Sequence, residues 1–381
     1  MAKRFGKKIQ IDLNPLHYNI ALLGESGIGK TTLAKEACEK LVGDEGYIHF
    51  DIGREDGASA INGIVSEKIE DWDKLDEVVE DIIENKTEDY PDLQVVILDT
   101  LDELILLAEA EAIRQYNRKN SGNRVETINE AYGGFMRGQD KATELILNTI
   151  WRLKQVGVSS IIIGHVKRTD ITDPVTQETY SKLTSDVSQR YFNAFKNKMH
   201  FVGLAYIDRE IVKEKTGKKN IVTKKEETIN KAVKESRVIS FRDDTYSVDS
   251  KSRFAEIVDH IPFDSEEFIK ALKDAIMAEQ AKSGESTKDA EKRMKKAQEK
   301  ADAEAKEASK KAKEEAKRAK EFDVEANEEL IDRIKEAFPN ADTDDKAQVK
   351  EIMKENGFNS FKNPENIPTE ALEKIVHVLG C

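Results

Sequence analysis

Five short apolar runs punctuate the chain between residues 19 and 207: "NIALL" at 19–23, "YIHFDI" at 47–52, "LQVVILD" at 93–99, "SSIIIGH" at 159–165 and "HFVGLAYI" at 200–207. Their apolar residues stand side by side instead of alternating, as in strands buried on both faces. Segments of helical period lie between them. The alternation predicts an α/β domain, a mainly parallel sheet covered by helices. From 236 to 250, "SRVISFRDDTYSVDS" changes to a period of two around "DD", which reads as an antiparallel hairpin at the sheet edge. "SEEFIKALKDAIMAE" at 265–279 then reads as a closing helix with a Ser cap and acidic first turn.

The apolar pattern stops there. Residues 281–321 carry almost nothing larger than Ala, and Glu291–Lys295, Asp302–Lys306, Glu307–Lys311 and Glu314–Arg318 are spaced as i, i+4 pairs of favourable polarity. A solvated helical spacer is expected, with a weak Ala-seamed coiled coil through residues 301, 305, 308 and 312 as the alternative. Beyond it, "FDVEANEELIDRIKEAF", "DKAQVKEIMKENGF" and "PTEALEKIVHVLG" read as three amphipathic helices broken at Pro339, Gly357 and Pro368. The expected organisation is a lead-in at 1–17, the α/β domain at 18–280, the spacer at 281–321 and a small all-α domain at 322–381, suited to docking a partner.

A length of 381 residues leaves room for one sizeable core and an appendage. The net charge of −13 argues against a basic nucleic-acid coat while leaving a local basic groove open. The N-terminus "MAKRFGKKIQ" is basic with no apolar stretch behind it, and no run of eighteen apolar residues occurs, so neither secretion nor membrane spanning is expected. The two cysteines, Cys38 and Cys381, build neither a disulfide framework nor a zinc site, which fits a reducing cytoplasm.

Chemistry enters at "GESGIGKTT", which follows the first apolar run and precedes a helical pattern. Gly24 to Thr31 match G-x-x-x-x-G-K-T, the phosphate-binding loop, in the strand-to-helix context it requires. Backbone N–H groups from Gly24, Glu25, Ser26, Gly27, Ile28, Gly29, Lys30, Thr31 and Thr32, with the positive end of the following helix, would cradle the phosphates. Lys30 would reach the β- and γ-phosphates of ATP, and the Thr31 hydroxyl would hold Mg²⁺. "VVILDT" places Asp99 at the carboxyl end of a central strand, where it would share that metal. Asp102 and Glu103 follow on the next helix; either could act on water, or both could be ordinary surface acids.

With these motifs in place, residues 18–280 resemble the RecA-like ATPases, in particular the phage nucleotide-binding and recombination proteins. Three further stretches carry the resemblance: "IIIGHVKR", the polar loop "VKRTDITDPVTQETYSKLTSD" and "DSKSRFAE", which looks like the K-x-R-F element of RadA and the replicative helicases. The resemblance implies that His165 senses the γ-phosphate. It implies single-stranded DNA contact by Lys167, Arg168 and Lys182, and by Arg118, Lys119 and Arg124 in an earlier loop. It implies that Lys251 and Arg253 reach the nucleotide of a neighbouring subunit, with ATP between protomers of a homo-oligomer. The plainer readings are a locally satisfied histidine, solvated loops and a charge pair guarding a sheet edge. The basic insertion "VKEKTGKKNIVTKKEE" at 212–227 reads as soluble surface or a further cationic face.

The chain departs from that family at one point. A catalytic glutamate is usual just past the second strand, in a pattern like D-x-E, whereas "FDIGRED" puts Gly53 there. Glu55 or Asp51 would have to substitute. The leading reading is a Mg²⁺-dependent ATPase acting on single-stranded DNA in phage-type recombination, strand annealing or replication, in the host-cell cytoplasm if phage-encoded. The alternative is a nucleotide-gated adaptor that recruits a replication or recombination partner through its C-terminal helices. A small-molecule kinase would need an acceptor pocket and lid arginines, which are not identifiable.

Overall fold

The computed structural model describes residues 11–380, apart from 55–56, 121, 173, 220–225, 243–249, 283–288, 342 and scattered positions between 290 and 323. It divides into two units, Met1–Lys306 and Glu307–Cys381. Among the described residues no helix is long and apolar enough to cross a membrane.

Among the described residues, the first unit has ten strands: β1 (Ile20–Gly24), β2 (Tyr47–Ile52), β3 (Ser66–Ile69), β4 (Val95–Asp99), β5 (Ser159–Thr172), β6 (Thr179–Ser185), β7 (Phe201–Lys219), β8 (Glu226–Ser240), β9 (Lys251–Ser252) and β10 (His260–Pro262). Their order is β10-β8-β7-β1-β5-β4-β2-β3, with β6 on β5 and β9 on β7. All pairings from β7 through β1, β5, β4 and β2 to β3 are parallel, so the five apolar runs of the sequence form adjacent central strands. Parallel strands need crossovers, and helices supply the layers: α1 (Lys30–Val42), α2 (Trp72–Asn85), α3 (Leu101–Lys119), α4 (Arg137–Gln155), α5 (Gln189–Lys196) and α6 (Ser265–Ala281).

Strand periodicity assigns the two faces. Leu22, Ile97, Ile161 and Ile163 pack against Leu33, Ala34 and Cys38 of α1 and Phe268, Leu272 and Ile276 of α6. On the other face Phe50 and Leu98 meet Leu75 of α2, Leu104 of α3 and Ile146, Ile150 and Leu153 of α4. Burying one such side chain contributes roughly 1.5–3 kcal/mol. Cys38 belongs to this core, and burial pushes its thiol up to about 12, which makes it inert. Leu16, ahead of the expected domain start, is also buried in it. Cys381 lies outside the described residues.

Several expectations are corrected. The antiparallel edge of the sheet is a ribbon in which β8 pairs with β7, from Leu204 opposite Ser240 out to Lys219 opposite Glu226, and β10 adds to β8; of the hairpin expected at 236–250, the first arm falls at the end of β8. The "DD" turn falls outside the described residues. The ribbon therefore absorbs most of the basic insertion at 212–227. The polar stretch after His165 is not a loop but a hairpin arm, because β5 continues past the sheet and pairs with β6 from Val166 opposite Ser185 to Thr172 opposite Thr179. Helix α6 is capped by Asp264, whose carboxylate accepts the N–H groups of Glu266 and Glu267, while Ser265 turns inward and donates to Glu36.

In the second unit, α7 (Val324–Ala337), α8 (Thr343–Glu355) and α9 (Thr369–Leu379) enclose a small core of Ile331, Ile334, Val349, Ile367, Leu372, Ile375 and Val376. Asn327, fully buried, donates to the Pro364 and Ile367 carbonyls and ties the segment before α9 to α7. The described positions between 289 and 313 are helical and mostly exposed.

Candidate functional site

Strand β1 ends at Gly24 and α1 begins at Lys30, with residues 25–29 forming the phosphate loop between them. Gly29, the residue before the helix, has φ +105°, a conformation open to glycine and not to a side chain. Glu25 and Ser26 follow the strand, and Ile28 anchors the loop by burying its side chain. Lys30 is 6% exposed and donates to the carbonyls of Gly24 and Glu25 at 3.0 and 3.1 Å. Its ammonium thus lies folded along the loop it would serve.

The neighbouring strands deliver the rest. Gly24 is opposite His165 on β5, and Asp51 is opposite Asp99 across the β2–β4 pair. Parallel strands end together at the carboxyl edge, where a crevice is expected. A cleft of about 240 Å³ opens there, lined by the loop from Ser26 to Thr32 without Ile28, and by Asp51, Asp99, Thr100 and His165. The Thr31 hydroxyl donates to Asp99 Oδ2 at 2.6 Å. A hydroxyl and a carboxylate this close are hard oxygen donors of the kind Mg²⁺ selects, so the residues fit that ion. Among the described residues no three His, Cys, Asp or Glu side chains form a protein-only metal cage. Mg²⁺ bound mainly through phosphate and water requires none.

His165 lines the cleft, as the resemblance implies, and it is also locally satisfied. Its backbone N–H donates to Asp102 Oδ2 at 3.1 Å, and its ring Nδ1 lies 3.4 Å from the same oxygen. Burial raises the Asp102 carboxyl, but the bonds from the His165 ring and backbone outweigh it and hold Asp102 below the usual carboxylate range. Asp51 is buried at 6% exposure and paired with Lys68 at 3.2 Å, its direct cross-strand neighbour. Asp51 and Asp99 are the two carboxylates in the described lining. Glu55 lies outside the described residues.

Of the other expected cations, Arg168 comes nearest the loop, its guanidinium 3.6 Å from the Glu25 carboxylate. Lys167 donates to the Asp186 carbonyl at 2.9 Å, and Lys182 lies over the Tyr180 ring. Lys167 and Lys182 share a second cavity of about 230 Å³ between the arm and the start of α5. Arg118 and Lys119 stand exposed at the far end of α3, whose 19 residues span about 28 Å, and Arg124 is exposed in the turn beyond. The structure does not bring these three to the cleft.

Lys251 and Arg253 are placed differently from the expectation. β9 pairs with the first residues of β7, at the opposite end of the sheet from the phosphate loop. Lys251 donates to the Lys196 carbonyl at 2.8 Å, and Arg253 to the carbonyls of Met199 and Asn197 at 3.2 and 2.5 Å. Both cations cap the end of α5 in their own chain, where carbonyls are left over and the helix dipole is negative. That geometry favours a structural edge pair.

Two neighbours of the site, Arg237 and His49, were missed by sequence reasoning, and a third, Glu103, was expected as an acid able to act on water or as an ordinary surface acid. Arg237 of β8 donates to the Ile28 carbonyl at 3.1 Å and lies over the Phe263 ring. Glu103 fills the space beside Gly53, and His49 bonds to Asp99. His49 had a signal, a histidine inside an otherwise buried apolar strand; Arg237 had none.

No curated protein matches the chain. A solved structure of a KaiC-like protein from the hyperthermophilic archaeon Pyrococcus horikoshii OT3 is similar over 62% of this chain and 84% of its own, at 14% identity and a TM-score of 0.30. A family model described as an AAA domain matches residues 16–254, more than half of the chain and the whole of the phosphate loop, Asp99 and the arm. The chain belongs to the AAA domain family, and its phosphate loop lies within the matched residues.

Proposed function

We propose that the chain binds ATP with Mg²⁺ in this cleft, hydrolyses it, and couples the nucleotide state to single-stranded DNA through the β5–β6 arm. The observation that carries the first part is the convergence of Lys30, Thr31 and Asp99 at adjacent strand ends, with Thr31 and Asp99 2.6 Å apart. Lys30 would exchange the Gly24 and Glu25 carbonyls for phosphate oxygens, which bear more charge, and the loop N–H groups would hold the rest. Thr31 and Asp99 would hold Mg²⁺, which when bound would neutralise charge at the transferring phosphoryl group. Asp51, buried beside Lys68, is the described carboxylate placed to orient the attacking water and take its proton.

Support for DNA coupling is continuity. One strand, β5, carries His165 in the cleft and, two and three residues on, Lys167 and Arg168 on the exposed arm. A change at the γ-phosphate would reach the arm without crossing a joint. Steady-state ATP hydrolysis with and without single-stranded DNA tests this: stimulation is expected. The role would then be phage-type recombination, strand annealing or replication. A homo-oligomer with ATP between subunits stays part of the proposal on the resemblance alone, because Lys251 and Arg253 are engaged within the chain.

A second reading has its own observation. The position of the usual glutamate is Gly53, and Glu103 occupies the space a side chain there would need. A nucleotide-gated adaptor, recruiting a replication or recombination protein through the helices of residues 322–381, would bind ATP and not turn it over. Tight binding without hydrolysis in the same assay selects it.

A further inference from the structure

His49 sits in the middle of β2, 1% exposed, with both ring nitrogens engaged. Nε2 lies 3.2 Å from Asp99 Oδ2, and Nδ1 lies 2.9 Å from Ser66 Oγ. The three residues come from three adjacent strands. His49 is opposite Ser66 on β3 and Ile97 on β4, which makes Asp99 its diagonal neighbour two positions along. A long side chain spans that diagonal.

The direction of each bond follows from chemistry. An ionised carboxylate only accepts, so Nε2 carries the proton and donates to Asp99; Nδ1 then accepts from the Ser66 hydroxyl. Thr31 donates to the same Oδ2 at 2.6 Å. Two donors, one in the first turn of α1 and one in the sheet, therefore fix one carboxylate oxygen. Tyr47, Phe50 and Ile52 of the same strand are fully buried apolar side chains. Placing an imidazole in so buried a strand is costly unless both nitrogens are bonded, and here they are.

We infer that His49 is a positioning residue for the metal site. It holds the Asp99 carboxylate in the orientation that, with Thr31, takes up the divalent cation accompanying a nucleotide, and Ser66 holds the imidazole in the tautomer able to do so. This rests on the nucleotide site proposed above. Partners that orient a metal-binding carboxylate typically control affinity by 10- to 100-fold.

The test is Mn²⁺ uptake by the full chain in the presence of ADP, read by equilibrium dialysis against buffer with the same free ADP, so that Mn²⁺ held by ADP in solution is equal on both sides. His49→Phe should weaken uptake roughly tenfold or more while ADP binding without metal is unchanged, and His49→Gln, whose amide donates near the place of Nε2, should recover most of it. Nitrogen chemical shifts of labelled histidine should show a bare Nδ1 and a protonated Nε2 at position 49. Parent-like Mn²⁺ uptake by His49→Phe overturns the inference. Should that variant not fold, Ser66→Ala leaves the ring in the sheet and removes the hydroxyl that sets its tautomer; unchanged uptake there overturns it equally. Failure of the parent itself to take up Mn²⁺ with ADP would sink the nucleotide-site reading instead, a separate outcome.

Discussion

Gly53 and Glu103 share one space: a Cβ added at Gly53 would fall 2.2 Å from Glu103 Oε2. Glu103 comes from the first turn of α3, where Thr100 caps its N–H, and its carboxylate accepts the N–H of Arg54 at 3.1 Å. Gly53 has φ +65°, so a side chain there is strained by the backbone as well as blocked by the neighbour. Gly53→Glu is accordingly expected to lower stability by at least about 1–2 kcal/mol, the usual cost of that backbone region for a non-glycine residue, without creating a base. Combining Gly53→Ala with Glu103→Ala should recover the steric share. Thermal unfolding of the single and double variants measures both; a Gly53→Glu variant as stable as the parent would contradict the geometry.

Lys30→Ala should lower ATP turnover by at least about 100-fold, the scale of losing one charge-stabilising donor. The fold should persist, because the loop's course is set by its glycines and by the burial of Ile28. Circular dichroism and hydrolysis rates together decide the matter, and parent-level hydrolysis would refute the phosphate-site assignment.

The arm can be tested through salt. Changing Lys167, Arg168 and Lys182 to Ala should weaken single-stranded DNA binding and reduce the log-log salt slope by roughly 0.7 for each phosphate that is no longer neutralised. Arg168 also faces Glu25 of the phosphate loop, so its variant alone should alter how far DNA stimulates turnover. An unchanged slope moves the DNA-binding surface elsewhere, with Arg118, Lys119 and Arg124 next to be tried.

Acid should unfold the first unit partly through His200. Burial, and then the charges of Lys154, Arg253 and Lys251, depress its pKa to about 4, and its Nδ1 accepts the Asn19 N–H at 3.1 Å. Protonation removes that acceptor. The folded state resists the proton that the unfolded chain binds near 6.5, so the stabilising effect is intact above about 6.5 and is lost as pH falls towards 4. His200→Gln should flatten stability against pH in that window. Denaturant midpoints from pH 7 to pH 4 provide the measurement, and parallel curves would exclude the mechanism.

Removing residues 307–381 should leave a cooperatively folding, nucleotide-binding first unit, since the two units carry separate hydrophobic cores. The excised segment should fold alone around Ile334 and Ile375, fully buried in the core of the three C-terminal helices, with marginal stability for its size. A single unfolding transition in the parent that disappears on truncation would show the units to be interdependent.

The phosphate loop, the strand ending in Asp99 and the parallel core were legible in the chain because each is written in a few consecutive residues. Glycines, a lysine and a threonine at set spacing, and runs apolar on both faces, carry their backbone geometry with them. The length of β5 was misjudged for a related reason: the polar sequence after His165 matched a loop in composition, and only pairing with β6 satisfies its backbone as a strand. Lys251 and Arg253 looked like a phosphate clamp because two cations at i, i+2 share a side; what they share is the carbonyls closing α5, more than fifty residues away in sequence. The same separation hid Glu103 beneath Gly53 and His49 beside Asp99, which are 50 residues apart in sequence and brought together by the β2–β4 register. Local pattern specifies an element and the chemistry lying along it. Which side chains meet across elements follows from register and close packing, where each meeting depends on many distant residues at once.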